Sequence, residues 1–300
     1  MKILAAVVTY NRSALLERCI DALHAQSRAP DAILVINNMS TDDTVEMLER
    51  RGVAFVTQPN LGSAGGWRRA IDEAVAQGFD AVWLMDDDGY PHEAALGLLE
   101  NGLTGGVACV SSVVLREDDR DRFVFPFPLL DAHDNPVLIA ARRKVASLAE
   151  LRHIAGGPSY PYAHLFNGAL VSLDAVRAIG NVDDRFFLMG DEVDFFMRMR
   201  RYGPVKSLLG AWHLHPDVSR RPLNEAKFYY YVKNTMILNR RYFGQIWLRD
   251  AMAVAAALGR TAQRNSLGEA LSYIVGKRAP LLWKAIARGR RGKVGKDLDD

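Results

Sequence analysis

The chain reads as an α/β protein: a mostly parallel sheet flanked by helices, with a helical extension at its C-terminus. Three observations predict this. Over the first ~90 residues, four apolar strand-like runs alternate with three helix-like periods, the signature of a parallel sheet wound with helices. Polar clusters stand where those runs end, the rim at which such sheets collect ligands. Beyond residue 223 the apolar residues keep a helical period with no further strand run.

Taken in order, Ile3 to Val8 is a first strand, and Leu15, Leu16, Cys19, Ile20 and Leu23 share one face of a helix over 15–24. Ala32 to Ile36 is a second strand ending at Asn37-Asn38. Ser40, Thr41 and Asp42 then offer caps to a helix carrying Val45 and Leu48. Val53 to Val56 is a third strand. The glycine-rich turn Asn60-Leu61-Gly62-Ser63-Ala64-Gly65-Gly66 follows it and opens a helix with Trp67, Ala70, Ile71, Ala74 and Val75 in register. Ala81 to Met85 is a fourth strand, running out into Asp86-Asp87-Asp88.

Pro91 suits the first turn of a helix over 92–100, and 106–115 gives another strand. Residues 116–164 read as a loop or hairpin insertion covering the site: charged from Arg116 to Arg122, then Phe125-Pro126-Phe127-Pro128, then basic from Arg142 to Lys144. Leu165 to Val171 is a strand, and Asp174 caps a short helix to Ile179. Asp191-Glu192-Val193-Asp194 starts an amphipathic helix, and a strand from Val205 to Trp212 delivers His213-Leu214-His215 to the rim. Helices are expected over 224–243, 245–258 and 266–288. The domain division expected is 1–222, with a nucleotide-binding half 1–90 and an acceptor half 91–222, followed by the helical extension 223–300.

At 300 residues, 49% of them apolar, the chain can bury a sizeable core without covalent staples. Only Cys19 and Cys109 are present, each inside an apolar run, so two buried thiols are expected and not a disulfide framework. The apolar start is too short for a signal peptide and no run approaches the ~20 residues of a spanning helix. A cytoplasmic protein is expected, soluble or peripheral at the inner face of the membrane. The net charge of +3 is uneven, with eight Lys or Arg and no acid between Lys277 and Lys296. That basic tail suits an anionic membrane surface, or equally a solvated helix face with a disordered end.

Three adjacent carboxylates at a strand end repel one another unless a cation relieves them. Alternation along an extended segment would point Asp86 and Asp88 at one ion and Asp87 elsewhere. A solvated acidic turn is the bland alternative. His213, brought to a rim that already holds carboxylates, is a third ligand candidate. The three acids at Asp191, Glu192 and Asp194 exceed what capping of a helix dipole requires.

In their joint order, Val8-Thr9-Tyr10-Asn11-Arg12, Asn37-Asn38-Met39-Ser40-Thr41-Asp42, the glycine-rich turn with Trp67, Asp86-Asp87-Asp88, Gly190-Asp191-Glu192-Val193-Asp194 and Trp212-His213 resemble family 2 of the glycosyltransferases. These are inverting enzymes of the GT-A fold that use nucleotide-diphosphate sugars. Within the family the motifs, including Tyr229-Tyr230 followed by Lys233-Asn234, are most similar to bacterial galactofuranosyltransferases and rhamnosyltransferases of cell-surface polysaccharide assembly.

The resemblance implies UDP-galactofuranose as donor, with dTDP-rhamnose next, and a saccharide or polyprenyl-linked saccharide as acceptor. Thr9, Asn11, Asn37 and Asn60 would bind the donor, with Trp67 and Asp87 near its sugar or ribose. Mn2+ or Mg2+ on Asp86, Asp88 and His213 would neutralise the leaving diphosphate, the imidazole favouring Mn2+. Glu192, or else Asp191, would be the general base, with Asp194 orienting or capping. Two features depart from the family pattern: Asn37 where Asp is usual, and Asp191-Glu192 where the second acid is usually Asp. A sugar nucleotidyltransferase and a nucleic-acid-binding protein are the alternatives. The first wants a basic glycine loop after strand one, where Thr9-Tyr10-Asn11 stands, and the second has only the tail in its favour.

Overall fold

All seven residues of the first strand, β1 (Ile3–Thr9), are buried, as a central strand covered on both faces requires. In a computed structural model that describes residues 1–138 and 144–298, β1 is followed by α1 (Ser13–His24), β2 (Ala32–Asn37), α2 (Thr44–Arg51), β3 (Ala54–Thr57), α3 (Gly62–Ala76) and β4 (Ala81–Asp86). β1 pairs in parallel with β2 and β4, and β2 with β3, so all four strands point their carboxyl ends to one rim. This half follows the sequence closely. Of the three cap candidates ahead of α2, Asp42 is the one that accepts from the Thr44 amide, at 3.2 Å.

The chain continues through β5 (Tyr90–Pro91), α4 (Ala95–Gly102), β6 (Cys109–Arg116), β7 (Arg122–Pro128), β8 (Lys144–Ser147), α5 (Leu148–Ala155), β9 (Ser159–Tyr160), β10 (Asn167–Ser172), α6 (Leu173–Ile179), α7 (Asp191–Tyr202) and β11 (Val205–His215). The main strand order is β3-β2-β1-β4-β10-β6-β11-β5. β10 is antiparallel to both β4 and β6, whereas β6 and β11 run parallel.

Two details here correct the sequence reading. Pro91 starts no helix; it pairs with His213 in a two-residue strand, at the end of the sheet order where its missing N–H costs nothing. Ser172, not Asp174, caps α6 by accepting from the Ala175 amide. The region 116–164 is more regular than expected, with β7, β8, α5 and β9 closing a second apolar cluster around Phe127 and Tyr160. Of its basic stretch, Arg142 and Arg143 lie outside the described residues.

By contacts the chain forms two units. One is Met1–Asn60, Gly66–Asn181 and Arg198–Asp217; the other is Leu61–Gly65, Val182–Met197 and Val218–Asp300. The second unit takes in the start of the glycine-rich turn and the loop that leads into α7. It contains α8 (Glu225–Tyr242), α9 (Ile246–Arg264), α10 (Leu267–Val275) and α11 (Ala279–Arg290). The single helix expected over 266–288 is broken at Gly276, which is extended, and restarts with Pro280 in the first turn of α11. Phe228 stacks on Tyr273 at 3.7 Å inside this unit. Among the described residues no helix is long and apolar enough to cross a membrane. Cys19 and Cys109 are free and buried, and burial pushes both thiols up.

Candidate active site

β4 ends at Asp86, and Asp87 and Asp88 already lie in the turn that leads to β5. The strand alternation expected across the triplet therefore stops after its first member. Asp87 and Asp88 are buried and share one guanidinium: Arg12 Nη1 lies 3.0 Å from Asp87 Oδ1 and 2.9 Å from Asp88 Oδ2. Thr9 Oγ1 donates to Asp87 Oδ2 at 2.7 Å. Burial pushes the Asp87 carboxyl above its usual range, with Arg12 and Thr9 pulling the other way. Asp86 is half-buried, and its amide donates to the Phe166 carbonyl at 3.0 Å.

The β5–β11 pairing turns the acidic loop back on the histidines. His215 Nε2 lies 2.9 Å from Asp88 Oδ1, and its Nδ1 lies 2.7 Å from the carbonyl oxygen of Pro216. His213 is 0% exposed, and neither ring nitrogen has a hydrogen-bond partner. It fits between two glycines: a Cβ on Gly89 would fall 2.3 Å from Nε2, and one on Gly168 would fall 3.1 Å from Nδ1. Burial, then His215, push the His213 pKa down to about 3, with Asp88 opposing. The ring is therefore neutral, the form in which imidazole ligates a metal.

An unpartnered neutral imidazole beside a carboxylate fits a divalent cation, since buried polar atoms otherwise find partners. Among the described residues no group of three or more His, Cys, Asp or Glu is arranged to hold a metal. Of the expected set, Asp88 and His213 are brought into electrostatic contact. Both Asp88 oxygens carry protein partners as well.

Of the donor-side residues expected from sequence, Thr9, Asn11, Asn37 and Asn60 stand at or just beyond the strand ends of the same rim, mostly engaged with the protein. Asn37 is fully buried, its amide donating to Thr57 Oγ1 at 3.1 Å and its oxygen accepting from the Ser40 amide at 2.9 Å. Asn11, at φ 54°, accepts from the Thr41 amide at 2.7 Å and so shapes the 38–42 loop. Asn60 is exposed. Trp67 is a core residue, 1% exposed and stacked on Phe166 at 4.5 Å. Gly66 allows the start of α3 to meet β1: a Cβ there would fall 2.5 Å from Val8 Cγ1.

In the other unit, α7 opens with the second acidic group. Asp191 is buried with Oδ2 unpartnered, and desolvation, then the charge of Glu192, raise its pKa to about 7. Glu192 is half-buried. Asp194 accepts from Arg241 at 2.9 Å and from Tyr242 OH at 2.7 Å. The preceding loop is strained at Phe187 and Met189, with φ 60° and 64°, and Gly190 follows at φ 100°, which glycine adopts freely. Asn234 Nδ2 lies 3.0, 3.0 and 2.7 Å from the carbonyl oxygens of Phe186, Leu188 and Met189, fixing that conformation.

Sequence reasoning missed Arg12, His215 and Asn234 as organisers of these groups. Arg12 and His215 stand inside motifs quoted above, but nothing in their spacing says that they meet Asp88. The pair Lys233-Asn234 belongs to the family resemblance, and its sequence alone gives it no role.

This arrangement of a wound sheet, an acidic strand end and a histidine on the returning strand is that of a GT-A glycosyltransferase. The fold is shared with a mannosyltransferase from Pyrobaculum calidifontis solved with GDP-mannose and Mn2+, at TM-score 0.57 and 16% identity over 97% of this chain and 84% of that one. It is also shared with GalNAc-T7 solved with UDP, GalNAc and Mn2+, at TM-score 0.61 and 11% identity over 95% and 57%. Residues 5–141 match the model of glycosyl transferase family 2. The galactofuranosyltransferase GlfT1 of Mycobacterium tuberculosis is 37% identical over 223 residues, 71% of this chain and 70% of that protein. The Mycolicibacterium smegmatis GlfT1 is 36% identical over 219 residues, with the same coverage. The chain belongs to glycosyl transferase family 2 and is a glycosyltransferase that draws on a nucleotide-sugar donor. That membership displaces both the nucleotidyltransferase and the nucleic-acid-binding alternatives.

Proposed function

We propose that the protein transfers galactofuranose from UDP-galactofuranose, with inversion, to a hydroxyl of a saccharide or lipid-linked saccharide acceptor in bacterial cell-surface polysaccharide assembly. The observation that carries the donor assignment is the 37% identity to GlfT1. dTDP-rhamnose is the next donor in order. Asp86, Asp88 and His213 would hold Mn2+, or Mg2+ in its place, and the bound cation would neutralise the leaving diphosphate. What supports this is the unpartnered, neutral His213 next to Asp88. Thr9, Asn11, Asn37, Asn60, Trp67 and Asp87 form the donor side. In this role Thr9 and Arg12 keep Asp87 in place, and Trp67 supports the rim from the core.

On the acceptor side Glu192 takes the hydroxyl proton. It is the less buried of the two adjacent acids, so it is the one an acceptor can meet. Asp191 behind it retains a proton up to about pH 7, so the pair need not hold two negative charges together. The basic segment 277–296 would face an anionic membrane that carries the acceptor. Trp283, 64% exposed, and the exposed stripe Leu267, Leu271, Ile274 and Val275 on α10 support that placement.

The deciding experiment is turnover with a panel of nucleotide sugars in Mn2+ and in chelator. UDP-galactofuranose should be consumed fastest and only with metal. Equal turnover in chelator would remove the metal from the reaction, and preference for another donor would overturn the sugar assignment.

A further inference from the structure

The C-terminal unit holds a second polar cluster that the proposed reaction does not use. Lys233 is 0% exposed, and its Nζ lies 2.8 Å from the Gly295 carbonyl oxygen and 2.9 Å from Asp297 Oδ1. The same Nζ stands 4.6 Å from the centre of the Tyr230 ring. Tyr229 OH donates to Asp297 Oδ2 at 3.0 Å, and Arg288 Nε pairs with that oxygen too. Lys284 Nζ donates to the Asp297 carbonyl oxygen at 2.9 Å. The amides of Asp297 and Leu298 donate to Tyr230 OH at 3.1 and 3.4 Å.

The backbone is shaped to make this cluster. A Cβ on Gly289 would fall 2.7 Å from the Lys233 carbonyl oxygen, so only glycine lets α11 approach α8 this closely. That approach sets Lys284 and Arg288, one helical turn apart, over Lys233. Among the described residues three cations then gather on Asp297, Lys233 and Arg288 at its carboxylate and Lys284 at its main-chain carbonyl. Surplus positive charge around a buried lysine is unfavourable, and a phosphate-class anion, with up to two charges and three acceptor oxygens, would balance it better. Asp297 lies on a segment after α11 that forms neither helix nor strand, so it can leave without unwinding an element.

We propose that Lys233, Lys284 and Arg288, with the hydroxyls of Tyr229 and Tyr230, form a phosphate-class anion site in which the chain's own Asp297 is the resident stand-in. The same segment also touches the loop before Asp191: the Gly295 amide donates to the Arg185 carbonyl at 2.7 Å, and Lys296 Nζ lies 5.3 Å from the centre of the Phe187 ring. An anion that displaces Asp297 therefore loosens that loop. This coupling rests on Glu192 acting on the acceptor, but the anion site does not.

The test uses the full chain in chelator, which silences metal-dependent donor binding, with inorganic pyrophosphate as one probe and phosphatidic acid vesicles as another. Asp297→Asn should bind pyrophosphate about tenfold or more tightly than wild type, since it removes a competing internal ligand. Adding Lys284→Ala, at an exposed position, should abolish the gain. A gain for pyrophosphate assigns a free phosphate as ligand, and a gain only for vesicles assigns a lipid headgroup. In wild type, saturating probe should speed amide exchange at Asp297 and Leu298, a readout independent of whether the variant folds. Unchanged affinity for both probes, a gain that survives Lys284→Ala, or unchanged exchange in wild type would overturn the site.

Discussion

Arg12 and Asp88 are joined by a 2.9 Å ion pair through the same guanidinium nitrogen that pairs with Asp87. That one cation separates two adjacent buried carboxylates in the folded protein. A divalent cation would do the same work, so guanidinium and the proposed metal would serve one electrostatic need. Arg12→Gln should lower stability by roughly 1–3 kcal/mol, a buried-pair loss reduced because the Arg12 side chain is 41% exposed. Mn2+ should raise the melting temperature of this variant more than that of wild type. Equal metal-induced shifts would show that the metal does not relieve the same charges.

Gly89 leaves the space that His213 occupies. With a Cβ 2.3 Å from Nε2, Gly89→Ala must move the imidazole or the turn that carries Asp88. Titration of UDP in Mn2+ should then show a loss comparable to that of His213→Ala. His215→Ala, which removes the partner that orients Asp88, should weaken metal-dependent binding by about 10–100-fold. Wild-type affinity in Gly89→Ala would separate His213 from the metal.

The wound half of the sheet was legible because apolar runs covered on both faces leave little ambiguity, as β1 and β4 illustrate. The acidic triplet was legible as a rim feature, but its internal geometry was not. Strand alternation says nothing about where a strand stops, and β4 stops one residue into the triplet. Pro91 misled because helix starts and sheet ends tolerate proline for the same reason, the absent N–H. The glycine-rich turn was recognised for its composition, yet the cause at Gly62 is a long-range contact: a Cβ there would fall 2.1 Å from the Phe187 carbonyl oxygen. No local pattern encodes that approach, nor the meeting of Asn234 with three carbonyls 45–48 residues away in sequence.

Glu192 and Asp191 should separate in turnover. Glu192→Gln keeps the shape but cannot accept a proton, so kcat should fall by about 10²–10⁴ with UDP affinity retained. Asp191→Asn imitates the protonated form that burial favours, and should keep activity within about tenfold of wild type. Steady-state kinetics with the same donor and acceptor checks both. A reversal of the two effects would move the base to Asp191.

Asp191 should also leave its mark on stability. Its folded pKa, about 7, lies above the ordinary 3.8, so the folded state holds the proton more tightly than the unfolded chain. The associated stabilisation is fully present below 3.8 and is lost as pH rises through about 7. Asp191→Asn does not titrate, so it should match wild type near the acid end of that window and exceed it at pH 8. The largest difference expected is about 4 kcal/mol. Denaturant unfolding of both proteins across this range measures it. A variant that tracks wild type at every pH would mean that Asp191 is ionised in the folded protein, and that the acidic pair carries both charges at once.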